Sequence, residues 1–95
     1  MTHPLWQASY HGDARAVEAL LADERLGLDV NHAGMDDTTP LYMASLEGHA
    51  EVVSMLLAKQ GVDVNQAHDD GRTPLYIASQ EGHAEVVSML LAKQG

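Results

Sequence analysis

No cysteine occurs in this chain, so disulfides and thiolate metal sites are excluded. Phenylalanine is also absent, and Trp6 is the single tryptophan, so a core must be built from Leu, Val, Ala and Met. Cations are scarce. Arg15, Arg25, Lys59, Arg72 and Lys93 face fourteen acidic residues, for a formal net charge of −9. A nucleic-acid interface needs a basic face to displace counterions from phosphates, and an acidic membrane surface repels a chain of this charge. Neither nucleic acid nor membrane is therefore expected as a partner, whereas a protein with a basic patch is electrostatically favoured. Acidity also serves plain solubility. No apolar run reaches membrane-spanning length. The start, MTHPLWQASYHGD, has neither the basic residues nor the apolar stretch of a signal peptide. A cytoplasmic, intracellular protein is expected, and a bacterial protein delivered into a host cell fits as well as a eukaryotic adaptor.

What the chain does have is repetition. Residues 47–61 and 81–95 are the same string, EGHAEVVSMLLAKQG, displaced by 34 positions. Over residues 28–61 and 62–95, 26 of 34 positions match. A third copy lies upstream, where Pro4-Leu5-Trp6 aligns with Pro40-Leu41-Tyr42, Gly12 with Gly48, and Leu20-Leu21-Ala22 with Leu56-Leu57-Ala58. A period of this size marks a stacked-repeat architecture, in which no unit buries its apolar face alone. Residues 1–95 read as one domain of about three repeats, near 1–27, 28–61 and 62–95.

Each unit follows one grammar. Asp69-Asp70-Gly71-Arg72 is a turn sequence, with Gly71 free to take positive φ. Thr73 is placed to cap a short helix whose first position, Pro74, has φ already set. Gly82 ends that helix, and His83 opens a second over Ala84–Lys93, with Val86, Val87, Leu90 and Leu91 as its apolar stripe. In the first repeat Asp13 takes the capping place of His49 and His83.

Thr39-Pro40-Leu41-Tyr42-Met43-Ala44 and Thr73-Pro74-Leu75-Tyr76-Ile77-Ala78 resemble the T-P-L-H-x-A signature of ankyrin repeats. Gly-His before Val-Val and Leu-Leu, then Asp-Val-Asn, also matches, and the resemblance covers nearly the whole chain. Departures are the 34-residue period, Trp6, Tyr42 and Tyr76 where the family usually has His, and Asp37 in place of the turn glycine. The resemblance implies an all-α helix-turn-helix solenoid with β-turn or hairpin-type loops between repeats. It implies a non-catalytic protein-binding module, working through a concave surface of turn tips and first helices. By analogy with the family's contact positions, that surface holds Tyr10, His11, Asp36, Glu47, Asp70 and Glu81. The asparagine of Asp-Val-Asn is a hydroxylase substrate in some members, which makes Asn31 and Asn65 candidates for hydroxylation. Their structural role would be to brace the loop.

The two best repeats differ at eight positions, all in the loop, turn and first helix. Three of those differences change chemistry: Met35 against Asp69, Thr38 against Arg72, and Leu46 against Gln80. These six residues are added to the candidate binding surface. No metal or cofactor is expected: His49 and His83 are periodic and structural, and His68-Asp69-Asp70 lacks a second pair of ligands at a defined spacing. Asp36-Asp37 and Asp69-Asp70 lack the spaced acids of a calcium loop. No catalytic residue is assigned. Ser9, Ser45 and Ser79 read as packed small residues, and the glycines punctuate repeats rather than cradle phosphate. Because the last helix copies an internal one, its apolar residues would lie uncovered. That makes either a fragment of a longer array or a homodimer through the C-terminal repeat the alternative expectation.

Overall fold

The computed structural model describes residues 4–34 and 37–94. Six α-helices occur among them: α1 (Pro4–His11), α2 (Ala14–Ala22), α3 (Pro40–Glu47), α4 (Ala50–Ala58), α5 (Pro74–Gln80) and α6 (Ala84–Gln94). A 3-10 turn, Glu24–Leu26, follows α2. No strand occurs among the described residues, and no helix is long and apolar enough to cross a membrane.

Side chains just outside the helices set where they start. The Thr39 hydroxyl accepts the Tyr42 N–H at 3.0 Å and Thr73 accepts the Tyr76 N–H at 3.1 Å, with Pro40 and Pro74 opening the helices behind them. Asp13 accepts the Ala16 N–H at 3.1 Å and so caps α2. Ahead of these helices, the hairpin loops close by paired backbone bonds. Gly34 N–H donates to the Thr38 carbonyl at 2.9 Å, and His68 N–H to that of Arg72 at 2.8 Å. Asp37 takes φ 60° in one loop where Gly71 takes 90° in the other, so the aspartate adopts the left-handed conformation that its counterpart reaches without strain.

The helices form two layers. α1, α3 and α5 lie side by side, with α2, α4 and α6 behind them, each pair joined within a repeat. Leu5, Val17, Leu41, Val52, Val53, Leu56, Val86 and Leu90 fill the space between the layers. Each such side chain contributes about 1.5–3 kcal/mol on burial, an upper bound given a compact unfolded chain. Ser9 and Ser45 are fully buried, and their hydroxyls have no partner among the described residues, whereas the exposed Ser79 donates to the Leu75 carbonyl at 2.8 Å. Val86 and Leu90 are core residues, which removes them from the uncovered face expected of the last helix.

His49 stands at the N-cap of α4, but its side chain makes no capping bond there. Its Nε2 instead reaches back to the Tyr10 carbonyl at 2.9 Å, and His83 Nε2 to the Leu46 carbonyl at 3.0 Å. A carbonyl only accepts, so Nε2 carries the proton. Each ring lies over a glycine of the preceding repeat. A Cβ on Gly12 would come within 2.5 Å of the His49 ring, and one on Gly48 within 2.6 Å of the His83 ring. Two further ties cross the same junctions. Asn31 donates to the Gly61 carbonyl at 2.8 Å and accepts the Asp63 N–H at 2.7 Å, and Lys59 Nζ donates to the Leu21 carbonyl at 3.1 Å.

The glycines separate two effects. Gly48 and Gly71 have φ of +75° and +90°, but a Cβ at Gly71 would meet no described residue within 4 Å. Gly71→Ala should lose only the conformational term, about 1–2 kcal/mol. Gly48→Ala should lose more, since it must also displace His83. Urea unfolding of both variants measures the difference, and equal losses would mean that the His83 ring yields freely.

Candidate partner-binding surface

The first helices lie in one layer, so equivalent positions form rows across the molecule. Tyr10, Leu46 and Gln80 make one row, and His11, Glu47 and Glu81 the next. Tyr10, His11, Glu47, Gln80 and Glu81 are exposed, and Leu46 is half-buried. Tyr10 stacks on Trp6, ring centroids 5.9 Å apart, and meets the His11 ring edge-on at 4.9 Å. Those contacts hold the phenol in place while leaving it open to solvent.

Asp69, Asp70 and Arg72 stand at the tip of the third repeat's loop. Asp70 accepts both the backbone N–H of Arg72 at 3.0 Å and its guanidinium Nε at 2.6 Å. The same device, an aspartate accepting from the N–H two residues on, recurs at Asp23, Asp29 and Asp63. The Arg72 side chain, then its backbone N–H, holds the Asp70 carboxyl down from 3.8 to about 2. His68 Nδ1 lies 2.7 Å from Asp69 Oδ1 and 3.2 Å from Asp70 Oδ1, and its ring tilts against that of Tyr42 at 5.1 Å. Burial raises the Tyr42 hydroxyl above its ordinary value; Arg72 opposes that, and Asp70, Asp69 and Glu81 add to it. The loop tip, the end of α5 and the ring of Tyr42 thus share one electrostatic neighbourhood.

His68, Asp69 and Asp70 each offer a donor atom, all within 4.8 Å of one another. The Arg72 guanidinium occupies the Asp70 carboxylate and brings a positive charge to the place a cation would take. The cluster is therefore a turn lock. Thr38, expected on the contact surface, is buried at 5% exposure and offers a partner no side chain. It directly precedes Thr39, the cap of α3, and its polar character does not reveal that burial. Met35 and Asp36 lie outside the described residues. Tyr76 was not among the residues expected on the contact surface. It is exposed at 56% although its counterpart Tyr42 is buried at 4%. The only signal was its place in the last repeat.

The Asp70 pair has a defined pH response. A carboxyl held low in the fold stabilises the protein above its unfolded value, and the contribution fades as pH falls from 3.8 toward about 2. In Arg72→Met the carboxyl should titrate close to 3.8 again, which carbon NMR of the carboxylate can follow. An unchanged titration would mean that Arg72 does not hold it down.

Three comparisons bear on this arrangement. The family model for ankyrin repeats, in three copies, matches residues 5–95. The crystal structure of the human ASB11 ankyrin repeat domain superposes with a TM-score of 0.85 at 33% identity, covering 97% of this chain and 40% of that one. Cortactin-binding protein 2 of Ornithorhynchus anatinus is 42% identical over 53 residues, which is 56% of this chain and 3% of that protein. The chain thus spans less than half of that solved chain and a small part of the second protein. The repeat period, the two helical layers and the match over residues 5–95 agree, and the chain belongs to the ankyrin repeat family.

Proposed function

We propose that this chain binds a protein bearing lysine or arginine along the rows formed by its first helices and loop tips. Ankyrin repeats are generally protein-interaction modules, and the finer reading rests on one observation. Glu47, Asp69, Asp70 and Glu81 are all exposed, and so is Tyr10. Arg72, the cation of the loop tip, is paired to Asp70. A net charge of −9 would speed encounter with a basic partner and make the association salt-sensitive. Tyr10, pre-ordered by Trp6, supplies a rigid aromatic contact of the kind that carries interface energy. With this reading goes a cytoplasmic setting, which fractionation of the native host would test.

The reading is tested by capture with the wild-type chain and with Glu47→Lys/Glu81→Lys. Both residues are exposed, so the variant should keep its melting temperature. A partner captured through this surface should be lost to the variant, and its affinity for the wild type should fall steeply with salt. A partner held equally by both forms would place the contact elsewhere.

The two candidate asparagines stand in different situations. Asn31 is tied at both ends of its amide to the next loop. Asn31 is also half-buried, whereas Asn65 is exposed. A hydroxylase should therefore modify Asn65 faster than Asn31. Peptide mass spectrometry after incubation with an asparaginyl hydroxylase gives the ratio, and preferential oxidation of Asn31 would overturn this assignment.

A further inference from the structure

We propose that the Asp70-Gly71 peptide unit is a latent site of self-modification, at which aspartate converts to isoaspartate, and that Arg72 holds it closed in the folded chain. The chemistry needs only the chain and water. The Gly71 nitrogen attacks the side-chain carboxyl carbon of Asp70 and a C–N bond forms. The nitrogen's proton leaves with the carboxyl OH as water, and nothing is oxidised or reduced. A second water molecule opens the cyclic imide. Cleavage at its side-chain carbonyl restores aspartate. Cleavage at its main-chain carbonyl leaves isoaspartate, with one more methylene in the backbone and a free α-carboxylate.

An internal comparison singles this unit out. Asp23, Asp29, Asp63 and Asp70 each accept from the N–H two residues on, so each carboxyl is folded over one intervening residue. In the first three that residue is Glu24, Val30 or Val64. A side chain there shields the nitrogen, most of all when it is branched at Cβ. In the fourth it is Gly71, at φ 90°, where even a Cβ would meet no described residue within 4 Å. Asp70 and Gly71 are both exposed, so water reaches the pair.

The fold withholds both reactants. Ring closure needs a protonated carboxyl, because the carbon of a carboxylate resists a nucleophile. Arg72 engages both oxygens in the ionised form, its Nε donating to Oδ2 at 2.6 Å and its backbone N–H to Oδ1 at 3.0 Å. Among the charged groups around the Asp70 carboxyl, Arg72 and then His68 favour ionisation; Asp69 beside it and Tyr42 of α3 complete the setting. The nucleophile is held as well. The Gly71 N–H donates to the His68 carbonyl at 2.8 Å, and that bond must break before the nitrogen can attack.

Ageing the full chain in mildly acidic buffer, native and in concentrated urea, tests the proposal. Peptide mapping with electron-transfer mass spectrometry separates isoaspartyl from aspartyl peptides of equal mass and reads the fraction converted at Asp70. In urea the wild type should convert steadily, and in the native state much more slowly. Native Arg72→Met should convert at least about tenfold faster than native wild type, because a carboxyl titrating near 3.8 in place of about 2 is protonated that much more often at any pH above both. In urea the two chains should age alike. Arg72→Thr, which copies Thr38 at the equivalent place in the second repeat, should match Arg72→Met, and melting curves check that both variants are folded. Asp63 should stay unconverted throughout. A wild type that does not convert in urea, or converts equally fast when native, would overturn the proposal. So would folded Arg72 variants that convert no faster than wild type, or conversion at Asp63 equal to that at Asp70.

Discussion

The structure depends on an imidazole lying over a glycine. His49 and His83 each reach from the start of a second helix to a carbonyl of the preceding repeat, 2.9 and 3.0 Å away. The approach requires that Gly12 and Gly48 have no Cβ. The glycine does two jobs at once: its positive φ turns the chain between helices, and its bare face admits the ring. Because the ring satisfies a carbonyl near a helix C-terminus, it fixes the register between repeats as well as their spacing. Leucine and valine burial supplies most of the driving force, but it is indifferent to small slips that the hydrogen bond does not tolerate.

Much of this was legible in the sequence because it is local and repeated. Thr39-Pro40 and Thr73-Pro74 announce helix starts, and Asp13 announces a cap, through contacts spanning three residues. Leu41, Val52, Val53 and Leu56 announce a core by their spacing. What escaped is non-local. His83 and Leu46 are 37 residues apart, and nothing near His83 tells a helix opener from a bridge to the previous repeat. Asn31 was read as bracing its own loop, and it instead holds the following one. Thr38 was placed on the surface because it differs in chemistry from its counterpart Arg72, but it is buried.

The two layers divide the labour. α2, α4 and α6 carry the packing, and the last two are identical over their first nine residues. The first helices and loop tips carry the variation, and there acidic side chains accumulate. Where a cation appears among them, at Arg72, it is tied to Asp70. The pairing rigidifies the loop tip but leaves the surrounding field negative, through Asp69, Glu47 and Glu81. Shape along the array is thus conferred by one set of residues and electrical character by another, so either can change with little effect on the other.

Identical helices in unlike settings have a dynamic consequence. α4 is flanked by α2 and α6, while α6 touches α4 on one side only. In a quasi-one-dimensional array the free energy of local opening is the unit's intrinsic term plus its neighbour terms. One peptide string therefore appears twice in this molecule with two different opening free energies. Among the described residues, the α6 copy, with one neighbouring second helix, should open at a lower free energy than the α4 copy, with two, and its amides should exchange with solvent faster.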